Sequence, residues 1–192
     1  MANPQISWMA PAGSNLTTNE GIVMGFDIGL SMEKYFTDNY AFLTGISLNN
    51  IGGKIKHADS LILDINNTES IISANSDLLY NLQYVKIPLA LKFKTKEIGY
   101  FTYFGQIGLE AGINVKANIS VDENDIDKAD VADEVNLFDT GYTIGGGAEY
   151  SIGGSSCIVF GIQYKNGFVD VLQKPENKIT IPKVAFLLGI MF

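Results

Sequence analysis

The chain has 192 residues, 46% of them hydrophobic and only 18% charged, with a net charge of −8, thirteen cationic side chains that are all lysine, and a mean hydropathy of +0.14. That length fits a single domain over 1–192, the acidity argues against a nucleic-acid partner, and no apolar run approaches the ~18 residues of a spanning helix. One cysteine, Cys157, excludes an intrachain disulfide framework, and one histidine, His57, leaves little catalytic chemistry to draw on.

Met1 to Pro4 shows neither the basic nor the apolar stretch of an export signal. For an exported protein the expectation is a mature chain from which that signal was removed. Strand-type alternation begins weakly over Gln5 to Gly13, with Ile6 and Trp8 on one side. It becomes regular from Gly21 to Glu33, where Ile22, Met24, Phe26, Ile28, Leu30 and Met32 oppose glycine, serine, Asp27 and Glu33. The same split recurs from Tyr40 to Asn49. From Val85 onward, Val85, Ile87, Leu89, Leu91 and Phe93 oppose Lys86, Pro88, Ala90, Lys92 and Lys94.

The longest alternating segment runs from Tyr100 to Val121. Its odd row continues through Ile113, Val115, Ile119 and Val121, and its even row carries Glu110 among small and amide residues. Three further segments follow over Phe138–Tyr150, Cys157–Lys165 and Lys183–Phe192, which brings the expected strands to eight. Short connections at 34–39, 95–99 and 151–155 alternate with long ones near 57–78, 122–136 and 170–178. That pattern predicts an all-β, eight-stranded antiparallel up-and-down transmembrane β-barrel with short periplasmic turns and long extracellular loops.

A soluble barrel would show the same alternation with its apolar row inward. Here the opposite row is made of Gly, Ala, Ser, Asn and a few charges, a poor soluble exterior and a good filling for a narrow lumen. Aromatics gather near strand ends, with Tyr35, Tyr40, Phe42, Phe93, Phe101, Tyr103, Tyr150, Phe160 and Phe192 towards the short turns. Tyr84, Phe138, Tyr142, Tyr164 and Phe168 sit towards the long loops. Two such belts suit the two faces of a bilayer, the first expected partner. Asp27, Lys86, Lys92, Glu110, Glu149 and Lys165 then point inward, where they are expected to form a paired network because lone charges would be costly there.

No cofactor, metal or catalytic centre is expected. His57, with Asp59 and Ser60 beside it, reads as a solvated loop histidine, because adjacency in sequence does not build a triad. The acidic run Asp122–Glu134 lacks the glycine and spacing of an EF-hand and reads as a solvated loop, with a weak divalent-cation site as the other reading. The row Ile113, Val115, Ile119 and Val121 extends beyond the roughly 9–11 residues of a tilted spanning strand. It should stand above the bilayer, either covered by the Leu61–Ile72 loop as a collar or open as a docking surface for another envelope protein.

The order of motifs resembles the PorT-type outer-membrane β-barrel family of the Bacteroidetes. Its carriers are Gly13-Ser14-Asn15-Leu16, Tyr84-Val85-Lys86-Ile87-Pro88-Leu89-Ala90-Leu91-Lys92-Phe93, the glycine-rich strand Tyr100–Gly112, Gly145-Gly146-Gly147-Ala148-Glu149-Tyr150, Tyr164–Asp170 and the closing Leu188-Gly189-Ile190-Met191-Phe192. The chain departs from that family in its all-lysine basic positions and its irregular first strand around Pro11. The resemblance implies a bacterial outer-membrane barrel with both termini periplasmic. One branch of that family is implicated in protein secretion, and the role expected of this chain is that of a non-enzymatic structural or accessory component of an outer-membrane assembly. A stand-alone narrow channel and a ligand-binding barrel are the alternatives.

Overall fold

Thirteen strands carry most of the chain in the computed structural model, which describes residues 1–12, 17–65, 68–121, 126–173 and 178–192. They are β1 (Ala2–Trp8), β2 (Ala10–Ala12), β3 (Thr17–Thr37), β4 (Tyr40–His57), β5 (Leu61–Ile65), β6 (Thr68–Ile72) and β7 (Asp77–Lys94), then β8 (Phe101–Val121), β9 (Ile126–Asp130), β10 (Phe138–Gly153), β11 (Ser156–Gly167), β12 (Lys178–Thr180) and β13 (Lys183–Met191). Eight of them close a ring in the order β1-β3-β4-β7-β8-β10-β11-β13, with every neighbour antiparallel and β13 returning to β1. The seam is short, Gln5–Ser7 against Lys183–Ala185, and the Asn3 side chain extends it by accepting the Leu188 N–H at 3.2 Å. Pro88 cannot donate to a ladder. The β4–β7 pairing accordingly skips from Thr44↔Leu89 to Ser47↔Lys86, which is what the Ile-Pro-Leu run does locally.

The apolar rows point outward. Met24, Leu30, Ile46, Leu89, Leu109, Ile144, Ile162 and Leu188 are all exposed, Met24 to 84%. Rings bracket this band. Tyr40 meets Phe93 edge-on at 5.5 Å and Phe101 meets Tyr150 at 5.1 Å at the short-turn end, while Tyr142 touches Tyr164 and Phe168 at the other. Tyr142 and Tyr150 share β10, so the belts are separated by about 27 Å of strand, or roughly 20 Å of height once tilted, close to the apolar band of a membrane barrel.

Two expectations are corrected above that band. The odd row of β8 does not stay outward. Gln83 pairs with Lys116 but Tyr84 with Asn114, which leaves Val115 as an unmatched bulge residue. One extra residue inverts every later position. Ile113 and Val115 (52% exposed) therefore sit on the outer face, with Ile113 paired to Phe138 of the upper belt, whereas Ile119 and Val121 are 0% and 1% exposed inside the barrel. The four residues do not form one surface. Tyr84 likewise belongs to no belt, because the even row of β7 faces inward along its whole length and carries Leu78, Tyr80, Leu82 and Tyr84.

The outer end is thus built the other way round from the membrane section. Its wall is the contiguous set of long strands β3, β4, β7 and β8, each of 18 or 21 residues, about twice what a tilted span needs. Its interior is an apolar core of Met9, Ile51, Ile55, Ile72, Leu78, Tyr80, Leu82, Ile119 and Val121, closed by Val131, Val135, Val171, Ile179 and Ile181. The long connections contribute strands of their own. β5 and β6 form a hairpin that lends Ile72 to this core, β9 pairs with β8, and β12 pairs with β2. Met9 lies over Gly53, where a Cβ would come within 2.6 Å of its Cγ and 2.5 Å of its backbone nitrogen. Ile62 and Ile71 of the hairpin remain exposed. The Gly13–Leu16 motif and Asp122–Asp125 of the acidic run lie outside the described residues.

Two outcomes test this inversion. Ile119→Ala should cost about 2–5 kcal/mol in urea unfolding from micelles, as a buried isoleucine does, and Val115→Ala under about 1 kcal/mol; equal costs would return both to one row. At the rim, Asp77 accepts from Lys54 at 2.9 Å and lies 3.2 Å from Lys56, and these lysines hold its carboxyl below the ordinary aspartate value. A depressed carboxyl contributes stability above its unfolded pKa and loses it as pH falls through the folded one. Amide protection at the start of β7, taken relative to the intrinsic exchange rate at each pH, should therefore fall below about pH 4, and Asp77→Asn should abolish that step.

Candidate functional site

Inward positions of the membrane section would be dry and polar at once, so each buried group needs a partner. The structure meets this with two layers of charge. In the upper layer Glu110 of β8 is the hub: Oε1 accepts from Lys86 of β7 at 2.6 Å and Lys183 of β13 at 2.9 Å, and Oε2 lies 3.3 Å from Lys165 of β11. Asp139 of β10 takes a second bond from Lys86 at 2.5 Å, and Asp27 of β3 one from Lys165 at 3.2 Å. Asn49 donates to Asp27 at 3.1 Å and is itself contacted by Gln5. Three lysines face three carboxylates.

Register explains why Glu110 matters. Lys165 and Lys183 are direct cross-strand partners on β11 and β13, a like-charge pair that repels unless an anion reaches both. Glu110 arrives from two strands further round the ring and does so. Gly112, directly opposite Lys86, leaves room for the lysine stem; a Cβ there would lie 2.9 Å from Lys86 Cγ.

The lower layer holds Lys92 between Glu33 and Glu149, with Glu149 at 2.6 Å, and Lys94 bonded to the other Glu149 oxygen at 2.5 Å. Two lysines face two carboxylates. Phe104, Val159 and Leu187 pack together beside this layer, Phe104 opposite Lys94 and Val159 opposite Glu149 in the ladder, and the Lys92 ammonium lies 4.2 Å above the Phe104 ring. The free space between the two layers is a cavity of about 70 Å³ lined by Gln106, Thr143 and Gln163 as well as these apolar groups, room for a few waters. Below the lower layer the lumen widens into a vestibule of about 460 Å³ lined by Glu33, Lys94, Glu97 and the half-buried Cys157.

All six inward charges anticipated from the sequence lie in these layers, split between them: Asp27, Lys86, Glu110 and Lys165 above, Lys92 and Glu149 below. Sequence reasoning missed Glu33, Lys94, Asp139 and Lys183. Their signal was available, since each shares its strand's polar row with a residue or position already assigned inward. His57 is not the solvated loop histidine expected: it ends β4 opposite Thr17 and is buried at 7% exposure, its carbonyl accepting the Asn75 N–H at 2.8 Å and its Nδ1 the Asp59 N–H at 3.4 Å. Among the described residues no three His, Cys, Asp or Glu side chains converge as a metal site.

Glu110→Gln should cost about 3–5 kcal/mol in the same unfolding assay, because it strands three lysines on two carboxylates. Adding Lys183→Met restores the count and should recover part of the loss. Wild-type stability in the single variant would mean that the hub supports nothing.

Comparison with protein families agrees with the ring. A family model described as outer membrane protein beta-barrel domain matches residues 3–173. No curated protein matches the chain. Similar solved structures include the attachment invasion locus protein Ail of Yersinia pestis at 13% identity, covering 100% of this chain and 98% of that one with a TM-score of 0.44. OprG of Pseudomonas aeruginosa has 11% identity over 98% and 90% with a TM-score of 0.49, and Neisserial surface protein A has 10% over 98% and 93% with a TM-score of 0.45.

Proposed function

The chain belongs to the outer membrane protein beta-barrel domain family, a barrel of the bacterial outer membrane in contact with its lipids, and we propose that it acts without catalysis or conduction, as a structural or accessory component of an outer-membrane assembly. One observation carries this reading: two charge-neutral layers close the spanning lumen, with a cavity of only about 70 Å³ between them. Such a lumen offers a hydrated ion no wide aqueous path, in keeping with an eight-stranded barrel. Over it stands a rigid extracellular section with its own apolar core, more structure than a membrane anchor requires. The motif order from Tyr84–Phe93 to Leu188–Phe192, similar to the PorT-type family of the Bacteroidetes, favours protein secretion as the process served.

The test is recovery of the tagged protein from its native outer membrane in mild detergent, with mass spectrometry of what accompanies it, beside planar-bilayer recording of the purified barrel. Stoichiometric envelope or secretion proteins and a silent bilayer are expected. Reproducible unit conductance from the barrel alone would replace this reading with the narrow channel.

A further inference from the structure

On the outer face of the long-strand wall, the parity change at Val115 has a second effect. Directly above the lipid-facing band, the outward positions of β4, β7 and β8 become amides and lysines in register: Asn50↔Gln83↔Lys116 form one row and Asn81↔Asn118 the next. These residues line a groove of about 320 Å³, and Lys128 of β9 closes its side. Both Lys116 and Lys128 are exposed, and neither ammonium has a carboxylate partner among the described residues. In the lumen, by contrast, every lysine is paired.

Two details point to an anionic occupant. The Asn50 amide nitrogen, shut from solvent at the groove floor, donates to nothing. Lys128 has φ +50°, a left-handed conformation that a lysine seldom adopts, and it is held there by Asn118 donating to its carbonyl at 2.8 Å and by its own N–H donating to Ser120 at 3.1 Å. The described carboxylate nearest in the ladder, Asp130, pairs with Asn118 and accepts the Ala132 N–H at 2.9 Å.

We propose that this groove binds the phosphorylated headgroup of an outer-leaflet lipid, with Lys116 and Lys128 supplying charge and Asn50, Asn81, Gln83 and Asn118 supplying amide donors. Position selects the source: the groove opens outward at the level where acyl chains packed on Ile113 and Leu109 would end and headgroups begin. A lipid held there would have its chains on the band and its phosphate against the lysines, the arrangement that joins apolar burial to charge-assisted hydrogen bonds.

The experiment is native mass spectrometry of the full chain in micelles doped either with diphosphorylated lipid A or with the same lipid after phosphatase treatment. The wild type should retain the phosphorylated form at least about tenfold better, as two charge-assisted contacts would give. Lys116→Gln/Lys128→Gln should lose that preference, and Lys116→Arg/Lys128→Arg should keep it. Lys34→Gln/Lys96→Gln, at the opposite rim, should leave it unchanged. Heat-modifiable mobility on gels reports that each variant is folded. Equal retention of the two lipids by the wild type, or an unchanged preference in the Lys116→Gln/Lys128→Gln variant, would overturn the proposal. Displacement of the lipid by inorganic phosphate alone would overturn the lipid source and leave a free-phosphate site.

Discussion

A bilayer interior contains no water to satisfy an amide, so a strand that enters it must find a hydrogen-bonding neighbour on both sides. That constraint closes the ring from β1 to β13 and fixes the rest in sequence. Closure makes one face of every strand a wall against lipid and the other a lumen too narrow for solvent. The first face must then be apolar, as Met24, Leu30 and Leu109 are, and the second must be filled. The three-pair seam between β1 and β13 is the weakest part of the ring. Asn3, which accepts the Leu188 N–H at 3.2 Å, supports it from one end.

Filling the lumen with charge is only tolerable when the charges cancel locally. They do so layer by layer, not merely in total: three lysines meet three carboxylates above, and two meet two below. The consequence is a stiff interior whose charges come from six of the eight ring strands, with Asn49 of β4 and Gln5 of β1 joining from the other two. Outside the bilayer the same chain reverts to ordinary globular logic, with Ile119 and Tyr80 inside and Lys116 and Asn81 outside. The two halves are continuous in backbone and opposite in what they hide.

Most of this was legible in the alternation. Strand count, closure, the outward row and the inward set Asp27, Lys86, Lys92, Glu110, Glu149 and Lys165 follow from parity together with the character of each row. The missing charges lay on those rows and were passed over because Glu33, Lys94, Asp139 and Lys183 stand at strand ends, where inward and interfacial positions look alike in sequence. The misplacement of Ile119 and Val121 has a different cause. Val115 is as good a strand residue as its neighbours, and a bulge announces itself through pairing, which a single sequence does not display. Tyr84 was misassigned for a related reason. It follows the inward parity of Lys86, but an aromatic near a strand end invites the belt reading. The core strands hidden in the long loops depend on non-local packing and had no periodic signal of their own.

The unmatched residue at 115 also acts as a phase shift between two spatial codes written in one strand. Below it, odd positions of β8 are addressed to lipid; above it, they are addressed to the protein's own interior. Segment length between the membrane and the rim is therefore quantised. Changes of two residues preserve both codes and merely raise or lower the platform, while a change of one exchanges its inside for its outside. The height of the extracellular section is free to vary in steps of two, and its parity is not.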